Sequence, residues 1–331
     1  MTPVASWTRP PAPAGSPAEP GPPCPFPVPA PPVAAVPAER RAAAVMALLV
    51  LVWGYAWVAS KVALAYVDAF DFAFLRVVVG AASLAAILVA TGRSLRPVHW
   101  RGSLMLGLLQ VWAFLTLNTW ALSGGGAGKI SVLTFTMPFW VLLLAWPVLG
   151  ERLRGLQWPA SALALAGLVA ILEPWRLEQS LQSKALAVLG GATWAAGTVL
   201  SKRLESRTRA DALAFTFWQM VVGAVPLGVV AWVVPGRTPD WTWELGLSLL
   251  FCGALATGLG WYMWLYVLHR LPAGTTSLSS LGIPAVAVAA SAAQLGEHLS
   301  AAELAGIVAV ALALGLNSLE SGRRAARGGE G

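Results

Sequence analysis

One arginine interrupts an apolar block that is long enough to cross a lipid bilayer. Arg76 lies in the block 70–90, about two turns into the helix that this block predicts. A charge buried in lipid costs several kcal/mol, so an ionisable residue at this depth indicates a functional site. The two-pronged guanidinium of arginine pairs well with a carboxylate. We therefore predict that Arg76 holds an anionic or zwitterionic substrate; the alternative is that it pairs with Asp68 or Asp71 and only fixes its helix.

A second set of candidates consists of aromatic and polar side chains within the apolar blocks. The chain has 17 tryptophans, and the deeper ones could stack against an apolar or aromatic part of a substrate. Polar side chains in lipid need a hydrogen-bond partner, which a neighbouring helix or a substrate can provide. Packing against lipid or another helix is the alternative for each. The cavity candidates are Trp53, Tyr55, Trp57, Trp112, Asn118, Thr134, Trp194, Trp218, Gln219, Trp261 and Tyr262.

Two prolines at matching places could shape such a cavity. Pro138 and Pro284 lie inside apolar blocks, where a proline removes one helix hydrogen bond and frees a carbonyl upstream. A freed carbonyl that faces lipid would be costly, so it should face protein or water. We predict kinks that line the cavity, with plain packing kinks as the alternative.

Four charged residues stand at the ends of apolar blocks. Lys61 and Lys202 each end a block, and we expect their ammonium groups to snorkel to the lipid headgroups. Glu151 and Glu297 follow two matching blocks, and we expect them to act as gates or as helix caps.

The absence of certain residues argues against several functions. All 15 acidic residues lie in loops, in tails or near block ends, whereas a proton-driven exporter of cationic drugs usually carries a buried carboxylate. The histidines lie at block ends, Cys252 stands alone in its block, and no G-x-S-x-G motif occurs. An enzyme, a metal site and a bound cofactor are therefore not expected.

These candidates must be positioned by helices that cross a membrane. Of the 331 residues, 57% are hydrophobic and 11% are charged, whereas soluble domains carry about 25% charged residues. The blocks are continuously apolar and of the length that a spanning helix needs, about 20 residues. We predict an all-α membrane protein with ten transmembrane helices. The blocks are 42–61, 70–90, 102–122, 127–149, 156–173, 184–202, 211–234, 244–268, 273–295 and 300–318.

Lysine and arginine residues predict the orientation. If the N-terminus is cytoplasmic, the inner segments hold 16 of these residues and the outer segments hold 5, as the positive-inside rule requires. The net charge of +7 then reflects topology and not nucleic-acid binding. Residues 1–40, rich in Pro and Ala, are expected to form a disordered cytoplasmic tail, and residues 320–331 a cytoplasmic C-terminal tail. We expect a multi-pass protein of the plasma membrane.

The sequence contains an internal repeat. The segment 126–153 resembles 272–299 at a constant offset of 146, and shorter segments match at offsets of 143 and 141. We predict two five-helix repeats, 41–175 and 183–319. Because five spans separate the copies, the second repeat is inverted in the membrane. Inverted repeats are typical of secondary transporters that work by alternating access.

Two motifs recur in both repeats. One is Trp53-Gly54-Tyr55-Ala56-Trp57, which runs on to Ser60-Lys61, and the other is Pro138 followed by Leu149-Gly150-Glu151-Arg152. The pattern resembles that of the EamA-like family of the drug/metabolite transporter superfamily. The resemblance covers residues 42–318, and its motifs carry no information about the substrate.

The resemblance implies a ten-helix bundle with a central cavity lined by the first four helices of each repeat. It also implies export of small metabolites such as amino acids. Gln219 replaces Arg76 in the second repeat, so the site should be asymmetric. Two repeats in one chain favour a monomer whose partners are a small-molecule substrate and the bilayer. Coupling to a proton or another ion stays open, and a passive facilitator or channel, or an intramembrane enzyme, is the alternative.

Overall fold

The structure, a computed structural model, describes residues 35–152, 155–172, 181–205, 211–234, 236–296 and 300–327. Within these ranges the chain forms helices joined by loops, without a β-strand. The helices fall into ten successive segments. They are α1 (Ala35–Ala63), α2 (Ala69–Ala90), α3 (Trp100–Ser123), α4 (Ala127–Leu149), α5 (Gln157–Leu172), α6 (Leu181–Arg203), α7 (Ala212–Val233), α8 (Trp243–Leu268), α9 (Ala273–Leu295) and α10 (Ala301–Arg327).

Most of these helices are long and apolar enough to cross a membrane. Within the described ranges seven segments meet this condition, namely α1, α2, α3, α4, α7, α8 and α9. α5 and α10 contain shorter apolar stretches, Gln157–Ala170 and Leu304–Ala313. α6 is 23 residues long and packs against α3 and α4. The expected all-α membrane fold is confirmed, and the count of ten membrane crossings stays a prediction.

Two helices extend into segments that the sequence assigns to tails. α1 begins at Ala35, inside the segment 1–40, and α10 continues to Arg327, inside the segment 320–331. Both extensions are rich in Ala, Arg and Glu, which favour helix even without packing. The expected disorder of residues 1–34 concerns residues outside the described ranges.

Each main contact that a helix of the first repeat makes with the second repeat has an equivalent contact made by its counterpart. α1 packs against α9, and its counterpart α6 packs against α4. α2 packs against α8, and its counterpart α7 packs against α3. Further contacts join counterparts directly, α2 with α7, α4 with α9, and α5 with α10. The two repeats therefore form one interlocked bundle.

The second repeat runs in the opposite direction to the first. Asn118 of α3 lies against Gly190 of α6, and Gln110 lies against Gly197. Since the number rises along one helix as it falls along the other, α3 and α6 are antiparallel. The end of α6 therefore lies beside the beginning of α3. α1, the counterpart of α6, is parallel to α3, because Lys61 near its end bonds carbonyls at the end of α3.

Two lysines mark the opposite ends of this bundle. Lys61 donates hydrogen bonds to the carbonyls of Leu122, at 3.0 Å, and Gly125, at 2.8 Å, where α3 ends. Lys202, at the end of α6, lies at the other end of the bundle. We call these two ends the Lys61 end and the Lys202 end.

Two helices are interrupted at equivalent places. α4 consists of Ala127–Thr134 and Met137–Leu149, and α9 consists of Ala273–Ser279 and Gly282–Leu295. Pro138 and Pro284 lie in the first turn of the second parts, where the N–H that proline lacks needs no partner. The disturbance expected at these prolines is thus present as a break in each helix, whereas neither proline is among the residues that line the cavity described below.

α3 and α8 share a second irregularity. Both contain π-helical turns, over Gly107–Ala113 and Leu250–Leu259. An offset of 146 relates the seven residues of the first segment to the last seven of the second. π-helical turns are rare and are frequent at functional sites.

Glycines allow α2 to approach α8 closely. A Cβ atom added to Gly253 would lie 2.6 Å from Cβ of Val79 and 2.9 Å from the carbonyl oxygen of Arg76. In the other repeat, a Cβ on Gly107 would lie 2.8 Å from the carbonyl oxygen of Gln219. Small residues at crossings of this kind let membrane helices pack backbone to backbone.

We expect Gly253→Ala to destabilise the protein by about 1 kcal/mol, because the added methyl group overpacks the α2–α8 crossing. The matched control is Gly246→Ala on the same helix, where an added Cβ meets nothing within 4 Å. This change should preserve or raise stability, since alanine favours helix over glycine. The midpoint of thermal unfolding of both variants in detergent tests the prediction, and equal midpoints would contradict it.

Candidate functional site

A cavity lies among α1, α2, α3, α4, α6 and α8 in the half of the bundle nearer the Lys61 end. Its volume is about 70 Å³, which holds a few water molecules. A solute the size of an amino acid therefore enters only if the helices move apart. The lining residues are Trp53, Ala56, Trp57, Ser60, Arg76, Phe114, Leu115, Asn118, Thr119, Leu122, Phe135, Trp194, Ala256 and Trp261.

Arg76 is the charged residue of this lining, and its partners are neutral. Its Nε donates to Oγ1 of Thr257 at 3.0 Å, and Nη1 donates to Oγ of Ser60 at 3.4 Å. No carboxylate lies within ion-pair distance of Arg76 among the described residues. Asp68 instead accepts the backbone N–H of Arg237. The alternative in which Arg76 pairs with an aspartate near the helix start is thus not what the structure contains.

Aromatic rings form the wall at the deeper end of the cavity. The ring centroid of Trp194 lies 5.3 Å from that of Trp53, 5.1 Å from Phe114 and 5.9 Å from Trp261. Phe135 of α4 adds a further edge-on contact at 5.3 Å from Trp194. These arrangements are the tilted and edge-to-face ones that aromatic pairs prefer. The cavity therefore combines one guanidinium with a wall of aromatic carbon.

The two equivalent tryptophans of this wall differ in their hydrogen bonds. Trp53 Nε1 donates to the carbonyl oxygen of Ala256 at 2.7 Å, within the π-helical turns of α8. Trp194 is the counterpart of Trp53 in the second repeat. Its Nε1 is buried and has no hydrogen-bond partner among the described residues.

Buried side chains occupy the corresponding positions at the Lys202 end among the described residues. The counterparts of Asn118, Thr119 and Leu122 are Trp264, Leu265 and Leu268, and all three of these are buried. Gln110 packs against Gly197, the counterpart of Ala56. Trp264 and Leu265 are larger than their counterparts Asn118 and Thr119, which agrees with a cavity on the Lys61 side.

Comparison with known proteins identifies the family. The model of the EamA-like transporter family matches residues 40–173 and again residues 183–319. The chain belongs to the EamA-like transporter family. It is therefore a multi-pass membrane protein of a transporter family, and its two matches coincide with the two repeats.

Several known proteins resemble this chain over most of its length. The uncharacterized transporter YoaV of Bacillus subtilis is 29% identical over 280 residues, which are 83% of this chain and 95% of the relative. A probable amino-acid metabolite efflux pump of Escherichia coli is 27% identical and covers 84% of this chain and 95% of its own length. The biotin transporter of Escherichia coli is 27% identical, covering 72% of this chain and 82% of the relative. A solved crystal structure aligns with a TM-score of 0.72 at 18% identity, over 86% of this chain and 98% of that one, which shows the shared fold.

The lysines that end the first helix of each EamA-like repeat cap a neighbouring helix. Lys202 donates to the carbonyls of Leu268, at 2.8 Å, and Leu271, at 3.2 Å, and it also contacts Glu205 at 2.7 Å. Lys61 makes the equivalent pair of bonds at the end of α3. Both lysines thus neutralise the negative end of a helix dipole. The snorkelling expectation misses these bonds, because sequence spacing does not reveal which carbonyls lie within reach.

Glu151 caps a helix of the opposite repeat. Its carboxylate accepts the backbone N–H groups of Ala273, at 3.2 Å, and Gly274, at 3.1 Å, where α9 begins. This contact agrees with the capping role expected for the residue and joins α4 to α9. Glu297, the counterpart, lies outside the described residues.

The structure brings six of the predicted cavity residues together and places the others elsewhere. Thr134 lies behind the lining and donates a hydrogen bond to Oδ1 of Asn118. Tyr55 is exposed and donates to Gln294 of α9 at 2.9 Å, and Trp218 donates to the carbonyl of Leu95 at 2.9 Å. The six residues in the lining are Trp53, Trp57, Arg76, Asn118, Trp194 and Trp261. The candidates outside the lining also include Trp112, Pro138, Gln219, Tyr262 and Pro284.

Sequence reasoning missed several residues of the lining. On α3 these are Phe114, Leu115, Thr119 and Leu122, which share one helix face with Asn118 and could be found from its position by the 3.6-residue period. Thr257, the partner of Arg76, has no such signal. Its position depends on the crossing of α2 and α8.

Proposed function

We propose that this protein is a secondary transporter that exports a small anionic or zwitterionic metabolite across the plasma membrane. It works as a monomer by alternating access of its two inverted repeats. The observation that carries the proposal is Arg76, a cation in the cavity that has no carboxylate partner among the described residues.

The charge of Arg76 supports a carboxylate-bearing substrate. A guanidinium inside a membrane protein is costly unless an anion or polar groups compensate it. Thr257 and Ser60 provide neutral acceptors, which compensate a full charge less well than an anion does. A substrate carboxylate would complete the site, and this gives the cavity a preference for anions.

The one-sided cavity supports alternating access over a passive channel. A channel needs a continuous path, whereas Trp264, Leu265 and Leu268 are buried at the equivalent positions of the Lys202 end. Exchange of conformations between the repeats would close one end as the other opens. With the N-terminus in the cytoplasm, as the distribution of Lys and Arg favours, the cavity faces outwards.

The names of two relatives support the substrate class and the direction. One is called a probable amino-acid metabolite efflux pump and another a biotin transporter. Amino acids and biotin both carry a carboxylate. Export is the direction that the first name gives for that relative.

Counterflow in vesicles tests this function. Purified protein in proteoliposomes loaded with one unlabelled solute should take up the same labelled solute, for a panel of amino acids, hydroxy acids and other small carboxylates. An imposed proton gradient should drive accumulation above the equilibrium level if transport is coupled. Flux that only dissipates a gradient would indicate a facilitator, and a panel without any counterflow would contradict the proposal.

A further inference from the structure

We infer that the cavity selects organic monocarboxylates that have an aromatic or apolar body and no ammonium group. The inference deepens the proposed function and rests on it, because it takes the cavity around Arg76 as the transport site. It narrows a broad class, anions and zwitterions, to acids without a positive charge.

The charges of the lining are the first reason. Arg76 is a cation, and none of the fourteen lining residues is an aspartate or a glutamate. A substrate carboxylate therefore gains a charge-assisted pair, whereas an ammonium group would be stripped of water without an ion pair in return. The aromatic rings could attract an ammonium group, but such attraction is weaker than an ion pair in a site of this kind.

The hydrogen-bonding capacity left in the cavity is the second reason. The side-chain oxygen of Asn118 already accepts a hydrogen bond from Thr134, and the carbonyl oxygen of Ala256 accepts one from Trp53. In contrast, Arg76 has five N–H donors and makes two hydrogen bonds. The guanidinium of Arg76 thus offers free charged donors to a ligand, which suits a carboxylate better than an ammonium group.

The aromatic wall determines which kind of body the ligand carries next to its carboxylate. Trp53, Phe114, Trp194 and Trp261 contact each other around one side of the cavity, and Arg76 belongs to α2 on another side. A ligand that places its carboxylate at Arg76 directs its body towards these rings. An aromatic or apolar body buries its surface there, whereas a second charged group would lose hydration.

Three probes that share one aromatic body test the inference. They are 3-phenylpropanoate, which has only the carboxylate, L-phenylalanine, which adds the ammonium group, and 2-phenylethylamine, which has only the ammonium group. Quenching of tryptophan fluorescence measures binding to the full-length protein in detergent, and counterflow in proteoliposomes measures transport. We expect 3-phenylpropanoate to bind at least about 10-fold more tightly than L-phenylalanine, a difference of about 1.4 kcal/mol, and 2-phenylethylamine not to bind.

The variant Asn118→Asp provides a test in the opposite direction. It keeps the shape of the side chain and adds a carboxylate to the lining, so the preference should shift from 3-phenylpropanoate towards L-phenylalanine by at least about 10-fold. Should this variant fail to fold, the comparison of the three probes on the natural protein still decides.

The outcomes separate this inference from the proposed function. Tighter binding of L-phenylalanine than of 3-phenylpropanoate would overturn the inference and leave transport of zwitterions standing. Counterflow of other solutes without any binding of 3-phenylpropanoate would also overturn the inference alone. Preference for 2-phenylethylamine, or an absence of counterflow for every carboxylate, would overturn both.

Discussion

Replacing Arg76 with alanine is expected to lower kcat/KM for a carboxylate substrate by about 100-fold. A hydrogen-bonded contact to a charged group is worth up to about 3 kcal/mol, and each 1.4 kcal/mol corresponds to a factor of ten. The alanine variant loses the guanidinium but keeps Ser60 and Thr257, whose hydroxyl groups retain their contacts with Cys252. Rates of counterflow at several substrate concentrations in proteoliposomes measure the loss.

Two further variants show whether the loss is specific. Arg76→Lys keeps the charge without the planar fork, so it should restore part of the activity. Arg93→Ala removes an arginine from the exposed loop after the same helix and should leave kcat/KM within about two-fold, as surface changes away from a site usually have little effect. Equal activity of Arg76→Ala and the natural protein would contradict a substrate contact at Arg76.

The helices and their repeat could be predicted from the sequence because the signal is strong and long. Apolar blocks set most helix positions to within a few residues, as for the block 70–90 and α2 at Ala69–Ala90. The repeat offsets also hold in three dimensions. Lys61 and Lys202 differ by 141, and their acceptors Leu122 and Leu268 differ by 146. The alignment of the two repeats in the sequence therefore predicted that they make equivalent contacts.

The breaks within α4 and α9 were indicated by Pro138 and Pro284, but hydropathy alone does not show them. The sequence of α4 is apolar on both sides of Phe135 and Thr136, where the helix is interrupted. Hydropathy reports burial in lipid or protein and is insensitive to the local hydrogen-bond pattern. The π-helical turns of α3 and α8 have the same cause, since they depend on how the helices pack.

The cavity could be predicted only in part, because a continuously apolar helix does not reveal which face points inwards. Trp53 and Trp57 line the cavity, whereas Tyr55, two residues from each of them, points away from it and bonds Gln294. The same ambiguity made Trp218 a candidate although it lies near the loop at Leu95. Charge was a better guide, since Arg76 must avoid lipid.

A pair of tryptophan variants should shift the conformation in opposite directions. In the described conformation Trp53 donates to Ala256, whereas the equivalent donor of Trp194 is unused. Gln110 is the counterpart of Ala256. If the repeats exchange conformations, Trp194 Nε1 should donate to the backbone carbonyl oxygen of Gln110 when the cavity opens at the Lys202 end. Trp53→Phe should then disfavour the described conformation, and Trp194→Phe should disfavour the other one.

The size of each shift follows from a single hydrogen bond. Phenylalanine keeps most of the ring contacts and removes the N–H, and one buried hydrogen bond contributes about 1 kcal/mol. The ratio of the two conformations should change by about 5-fold in each variant, so the two variants should differ by about 25-fold. Thr119→Cys in the lining reports the ratio through its rate of maleimide labelling from the side that the cavity faces.

Two controls distinguish the exchange of the hydrogen bond from background labelling and from a general loosening of the bundle. Cys252 is fully buried, and the chain without the Thr119→Cys reporter gives the background of labelling. A variant that merely loosened the bundle would raise labelling for both tryptophans, whereas the exchange lowers it for Trp53→Phe and raises it for Trp194→Phe. Shifts in the same direction would therefore contradict the exchange, since only a bond that moves from one repeat to the other can give opposite signs at equivalent positions.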